Sequence, residues 1–241
     1  MEKQPGMVSF VGAGPGDPEL LTLKGKRLIE EAALLLYAGS MIPPALLDLA
    51  SPRASVIDAA PLDLEECHSL MLQFARAGQP VVHLHTGDPA VYSALREQLA
   101  LLDRDGIPWQ VVPGITAAST AAAALGAPLQ NGFSLVSLSD LLVPADEVRR
   151  NLRAVAQSAL PATLYNPAGR KRRRLLAEAL DIFREARGGD ILCAFVRHAG
   201  RPEETRWIGR LADLPADDVD MSTLVLIGSA RTVTDQGALF E

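Results

Sequence analysis

Three glycine-bearing segments carry the spacing from which a site could be built. In VGAGPGDPELLT (residues 11 to 22), glycines at 12, 14 and 16 follow a β-type run and precede helical signals. Such a segment permits a tight turn and close approach of a ligand to the main chain. It is not a dinucleotide fingerprint, because GxGxxG would place its third glycine at 17 and Asp17 puts a negative charge where a pyrophosphate would lie. Nor is it a Walker A loop, since no Gly-Lys-Ser/Thr follows. On pattern alone, a structural turn and a ligand-lining loop are equally supported.

The second segment, HTGDPAVY (85 to 92), puts a glycine turn at the carboxyl end of a strand, where open α/β sheets bind ligands. The third, VPGITAAS (112 to 119), repeats that geometry one strand later, with small residues that would let an adenosine or a methionine chain lie against the backbone. Two such loops side by side make a pocket, although each is also compatible with a plain Pro-Gly turn. His85, at the mouth of the second loop, is the histidine placed for acid or base work, against the commoner structural role of a lone loop histidine. Arg197 and Arg201, flanking Gly200, suit bidentate binding of carboxylates. The run RKRRR (170 to 174) reads as the solvated start of a helix, as a carboxylate-collecting rim, or as a grip on nucleic-acid phosphates. Cys67 and Cys193 lie far apart with no CxxC partner or nearby His, so they read as buried small hydrophobes and no metal is expected.

Positioning these groups requires an α/β architecture. Strand-like runs fall at 8–11, 81–85, 109–112, 133–137, 162–166, 191–196, 204–209 and 223–228, with helical segments between most of them. Asp17-Pro18 and Asp88-Pro89 each look like a helix opening; the first leads to Leu21, Leu28 and Ala32 on one face, the second to Val91, Leu95, Leu99 and Leu102 before a stop near Gly106. LSDLLVPADE (138 to 147) interrupts the pattern and reads as a linker. The expectation is two α/β domains, 1–138 and 139–241, each a mostly parallel sheet flanked by helices. From about Thr232 no period is visible, and a loose tail is expected.

Composition narrows the classes. The 241 residues carry 23 Lys+Arg against 29 Asp+Glu, with 48% hydrophobic and 5% aromatic residues, a globular profile that excludes intrinsic disorder and collagen. The acidic balance and scarce aromatics argue against a general nucleic-acid binder. Fifteen of the 23 cations lie in residues 131–241, so partners for an anionic ligand are expected mostly there. No apolar stretch is long enough to span a bilayer and the start MEKQPGM is polar, so a cytoplasmic protein without a membrane partner is expected.

Taken in order and spacing, GxGPGDPELLT, TGDPxxY and VPGITAA resemble the tetrapyrrole (corrin and porphyrin) methyltransferases, and the resemblance runs from residue 8 to about 230. Within that family, SLSDLLVP (137 to 144), LYNPAGRKRR (164 to 173), VRHAGRPEE (196 to 204) and VDMSTLVLIG (219 to 228) resemble the branch that methylates ring carbon 17 of a corrin precursor and contracts the macrocycle. LYAGSMIPPALL (36 to 47) and VVHLHTGDP (81 to 89) are more similar to the branch acting at carbon 11. A more distant relation of the same fold acts on ribosomal RNA. The resemblance implies S-adenosylmethionine as methyl donor, folded in a cleft between two domains, a tetrapyrrole substrate and a homodimer. By motif, it implies cofactor contacts from Gly87, Asp88, Pro89, Val91, Thr116, Ala117, Tyr165, Asn166, Ala199 and Thr223. It implies a substrate trough from Gly14, Pro15, Gly16 and Asp17, with Tyr37, Ser40, Arg197 and Arg201 beside them.

Overall fold

Every residue of the VSFVG run, Val8–Gly12 (β1), is buried, as expected of a strand covered on both faces of a parallel sheet. The computed structural model to which β1 belongs describes residues 4–141, 143–167 and 174–241, and not the side chain of Ser40. The chain divides into two compact units, Met1–Ala117 and Ala118–Glu241.

In the first unit β1 is followed by α1 (Leu23–Glu31), β2 (Leu34–Tyr37), α2 (Pro44–Leu47), β3 (Ser55–Asp58), α3 (Leu64–Arg76), β4 (Val81–His85), α4 (Arg96–Arg104) and β5 (Trp109–Val112). The five strands form one parallel sheet in the order β3-β2-β4-β1-β5. Successive strand residues feed opposite cores. Phe10, Leu34 and Leu36 pack with Met71 and Leu102 on one face, while Val11, Leu35 and Leu84 pack with Ile29 and Leu46 on the other.

Both expected helix openings move. Asp17 Oδ1 accepts from Glu19 N (2.8 Å) and closes a single 3₁₀ turn, Pro18–Leu20; Thr22 is the cap of α1, accepting from Gly25 N (3.1 Å). Asp88 likewise closes its own loop by accepting from Ala90 N (2.8 Å), and α4 starts only at Arg96. A short Asx turn satisfies the same donors that a helix would have required, so the signal is real but the element ends early. Gly106, at φ +67°, ends the α4 segment where the sequence suggested.

The second unit holds α5, whose Ala117–Leu125 span begins at the last residue of the first unit, then β6 (Gly126–Ala127), β7 (Ser134–Ser137), α6 (Ala145–Gln157), β8 (Ala162–Tyr165), α7 (Arg174–Arg187), β9 (Leu192–Arg197), β10 (Thr205–Arg210), β11 (Thr223–Ile227), β12 (Val233–Asp235) and β13 (Ala238–Phe240). Its main sheet has the order β10-β9-β11-β8-β7. The expectation of a mostly parallel sheet is corrected here. Only β7 and β8 run parallel; β11 enters antiparallel between β8 and β9, and β10 folds back on β9. Alternating helix and strand signals specify neither the partner nor the direction of a strand that returns from far along the chain.

The expected boundary at residue 138 falls inside this unit, since β6 pairs with β13 and the Arg206 guanidinium donates to Ala124 O. The expected loose tail is instead the hairpin β12–β13, turned by two left-handed residues, Gln236 (φ +44°) and Gly237 (φ +80°). The buried Glu241 carboxylate accepts from Ser229 Oγ (2.6 Å) and Thr232 Oγ1 (2.7 Å) and pins this sheet down. Cys67 and Cys193 are buried free thiols; desolvation raises both, Cys193 to about 12.

Candidate functional site

In the first unit, three turns meet through backbone at the carboxyl ends of β1, β4 and β5. Ala13 N donates to His85 O (2.7 Å), Gly14 N to Gly87 O (3.2 Å) and Gly87 N back to Gly14 O (2.8 Å), so the first two glycine turns are joined as a one-residue antiparallel bridge. The third turn does not neighbour the second in the sheet, because β1 lies between β4 and β5. Contact is made above the strand ends. A Cβ on Gly114 would sit 2.2 Å from Gly87 O and 2.8 Å from Gly12 Cα, and one on Gly12 would sit 2.5 Å from Gly114 N. Only glycine allows main chain to lie on main chain this closely.

Gly87 differs from those two. It holds φ +68°, and a Cβ there would meet only Ala117 N, at 3.9 Å. Its carbonyl accepts from Gly14 N and lies close against Gly12 and Gly114, and although the residue is buried its Cα side has room for an added group, which is the arrangement that lets a ligand approach backbone. Asp88 and Val91 are half-buried and Pro89 is buried; the Asp88 carboxylate is engaged in its own turn. Thr116 and Ala117 are half-buried, Ala117 as the first residue of α5. Gly14, Pro15 and Gly16, expected along a trough, are buried, and Asp17 is half-buried. Tyr37 ends β2, paired with Leu84, and Ser40 lies in the Gly39–Met41 turn.

Beneath the second turn, His83 and His85 alternate with Leu84 and share one face of β4, with ring centroids 4.5 Å apart and Phe10 beside both, at 5.8 and 5.9 Å. His83 Nδ1 bonds Gln98 Oε1 (2.9 Å) and His85 Nδ1 bonds Ser93 Oγ (2.9 Å). Burial pulls His83 down to about 4 and, with the neighbouring His83, His85 down to about 3. Both imidazoles are therefore neutral at physiological pH. After the glycine turn, Tyr92 is held at φ +54°, a conformation costly for an aromatic residue.

In the second unit, left-handed residues again follow strand ends: Asn166 (φ +52°) after β8 and His198 (φ +54°) after β9. Asn166 Nδ2 donates to Ser137 Oγ (3.0 Å), and Tyr165 OH accepts from Ala118 N (2.9 Å) near the start of α5. Arg197 and Thr223 face each other in register and share Asp220. The guanidinium pairs with Asp220 Oδ2 (2.8 Å) and the Thr223 hydroxyl donates to Oδ1 (2.9 Å). Arg197 Nε is buried with no hydrogen-bond partner among the described residues. Ala199 is buried in a turn closed by Arg201 N donating to His198 O (3.0 Å). Of the RKRRR run, 170–173 lie outside the described residues.

Sequence reasoning missed Asp220, Ser137, Ser93 and Gln98. Asp220 carried a signal, since the Asp-x-Ser spacing makes an Asx turn in which Ser222 N donates to Oδ1 (2.8 Å). The others carry none, being polar residues whose partners, His83, His85 and Asn166, are supplied by the fold.

Comparison with known proteins points one way. The model of the tetrapyrrole (corrin/porphyrin) methylases matches residues 7–215. The chain is 35% identical to a precorrin-4 C(11)-methyltransferase of Pseudomonas aeruginosa, over 92% of this chain and 89% of that one. It is 29% identical to a probable cobalt-factor III C(17)-methyltransferase of Salmonella typhimurium, over 97% of each. The solved structure of the methyltransferase CobJ is similar, with TM-score 0.85, 29% identity and coverage of 98% and 99%. A uroporphyrin-III C-methyl transferase of Thermus thermophilus complexed with S-adenosyl homocysteine has TM-score 0.71 and 33% identity, over 92% of each chain.

Proposed function

The chain belongs to the tetrapyrrole (corrin/porphyrin) methylases, and on that premise we propose that it is the S-adenosylmethionine-dependent enzyme of cobalamin biosynthesis that methylates ring carbon 17 of precorrin-3B, or of its cobalt form, with ring contraction. As an S-adenosylmethionine-dependent methyltransferase acting on a corrin precursor it shares the chemistry in its relatives' names. The observation that supports carbon 17 is extent. The C(17) relative aligns over 97% of both chains, whereas the C(11) relative covers 92% and 89%. Carbon 11 of precorrin-4 is the second reading, favoured by the higher identity of 35%.

The cofactor, when bound, supplies an electrophilic methyl on a sulfonium: the carbon–sulfur bond breaks as the new carbon–carbon bond forms, and the electron pair stays on sulfur. The residues present fit such a group, because the open Cα side of Gly87 beside Ala117 N is backbone that a Cβ would cover. Gly87, Asp88, Pro89, Val91, Thr116 and Ala117 from the first unit, with Tyr165, Asn166, Ala199 and Thr223 from the second, are proposed to hold it. The chain's task is then orientation, which can supply roughly 7 to 11 kcal/mol of the barrier when donor and acceptor are held in line. Arg197, turned by Asp220, and Arg201 are proposed to meet the acetate and propionate carboxylates of the macrocycle, with Gly14 to Asp17, Tyr37 and Ser40 bordering it. Assembly as a homodimer belongs to the same proposal.

The test is incubation with methyl-labelled S-adenosylmethionine and each precursor in turn, with the product mapped by mass and NMR. Label at carbon 17 in a contracted ring is expected. Label at carbon 11 selects the second reading, and no label in either refutes both.

A further inference from the structure

The chemistry beneath the Gly87 turn is not absorbed by that reading. His85 contributes its carbonyl to the first glycine loop (Ala13 N, 2.7 Å) and its ring to the segment that follows the second. The ring bonds Ser93 through Nδ1, and its Nε2 is buried with no hydrogen-bond partner among the described residues. A buried N–H without an acceptor is rarer and costlier than a bare lone pair, so the tautomer carries its hydrogen on Nδ1, donates to Ser93 Oγ, and leaves Nε2 as a lone pair.

A parallel tie lies two residues back. His83 Nδ1 donates to Gln98 Oε1 (2.9 Å), whose amide donates to Ala94 O (3.1 Å). The two histidines thus fasten residues 93 to 98 to the central strand, and the only chain left between that anchor and Gly87 is Asp88 to Tyr92. Tyr92 sits there at φ +54°, a conformation that persists only when its surroundings over-determine it.

We infer that His85 is a positioning residue for the cofactor turn: through Ser93 its neutral ring fixes the left-handed bend at Tyr92, and with it the backbone of Gly87 to Val91 against which the methyl donor rests. The inference rests on the proposed cofactor site. The ring acts by direction and without exchanging a proton with substrate.

The test is calorimetric titration of S-adenosylhomocysteine into the full chain and into His85→Asn, His85→Leu and Ser93→Ala, between pH 5.5 and 8, with thermal melts alongside. His85→Leu and Ser93→Ala should weaken binding about tenfold, the loss of one hydrogen bond's worth of alignment. His85→Asn, whose amide N–H reaches the Nδ1 position, should stay within about twofold, and the wild-type affinity should be flat across the pH range. Wild-type binding with Leu and Ala variants that bind equally well overturns the inference alone, as do an Asn variant as weak as Leu or melts that fall while affinity stays unchanged. A wild-type chain that binds no S-adenosylhomocysteine overturns the proposed cofactor site and this inference with it.

Discussion

Substituting Gly114 by Ala probes the backbone junction with one added methyl. Its Cβ would lie 2.2 Å from Gly87 O, 2.8 Å from Gly12 Cα and 2.9 Å from Gly12 C. An ordinary carbon–oxygen contact is about 3.2 Å, so the Gly87 turn must retreat by about 1 Å, and no flexible side chain can absorb the shift. Overpacking of this kind costs about 1–3 kcal/mol, and a misplacement of about 1 Å in a positioning element costs about a hundredfold in rate. Gly106→Ala is the matched control. It holds φ +67° with nothing within 4 Å of its Cβ position, at the end of the α4 segment, so it suffers only the left-handed penalty of about 1–2 kcal/mol. Urea unfolding should place both variants within a few kcal/mol of wild type, while calorimetry with S-adenosylhomocysteine shows Gly114→Ala weakened at least tenfold and Gly106→Ala unchanged. If Gly114→Ala bound like wild type, or Gly106→Ala lost as much, the junction would have no bearing on the cofactor.

Arg187 gives a stability test in the second unit. Its guanidinium donates to the carbonyls of Ala156, Gly228, Val155, Ser158 and Leu160, at 2.6–3.1 Å, with its head 4.9 Å from the Phe183 ring. Arg187→Met strands these acceptors and should cost about 3 kcal/mol or more in urea unfolding, whereas a change under about 1 kcal/mol would mean that they find other donors. The β4 histidines predict a pH dependence. Below pH 6.5 the unfolded chain protonates both, while the folded chain holds them neutral down to about 4 (His83) and about 3 (His85). Stability from this pair is therefore complete above 6.5 and falls with pH below it, approaching about 1.4 kcal/mol per pH unit for each histidine. A His83→Gln/His85→Asn double variant should lose most of that slope between pH 6.5 and 5, and a slope equal to wild type would contradict the burial argument.

Legibility in the sequence followed locality. VVHLH and WQVV are bounded by turn residues and coincide with β4 and β5, and ATLYN (162–166) runs one residue past β8. LLLY was not read as a strand, because it abuts α1 with only Ala32 and Ala33 between and merges with the helical period. SVID escaped as well; it is the sheet's edge strand, with half-buried Ser55 and Ile57 alternating with exposed Val56 and Asp58. The glycine turns were visible as possible ligand loops, but not their mutual contact, which depends on β1 inserting between β4 and β5. Likewise β11 threads between β8 and β9 through long-range pairing, and with it come Asp220 and the Arg197–Thr223 register. Such features depend on which distant segments meet, and single-sequence periodicity carries no term for that.

The most direct measurement is amide hydrogen exchange on the full chain, with and without saturating S-adenosylhomocysteine. Slowed exchange concentrated in residues 85–93 and 113–118 is the predicted result. Unchanged exchange in both segments, with protection elsewhere, would contradict the claim that these backbone turns hold the methyl donor.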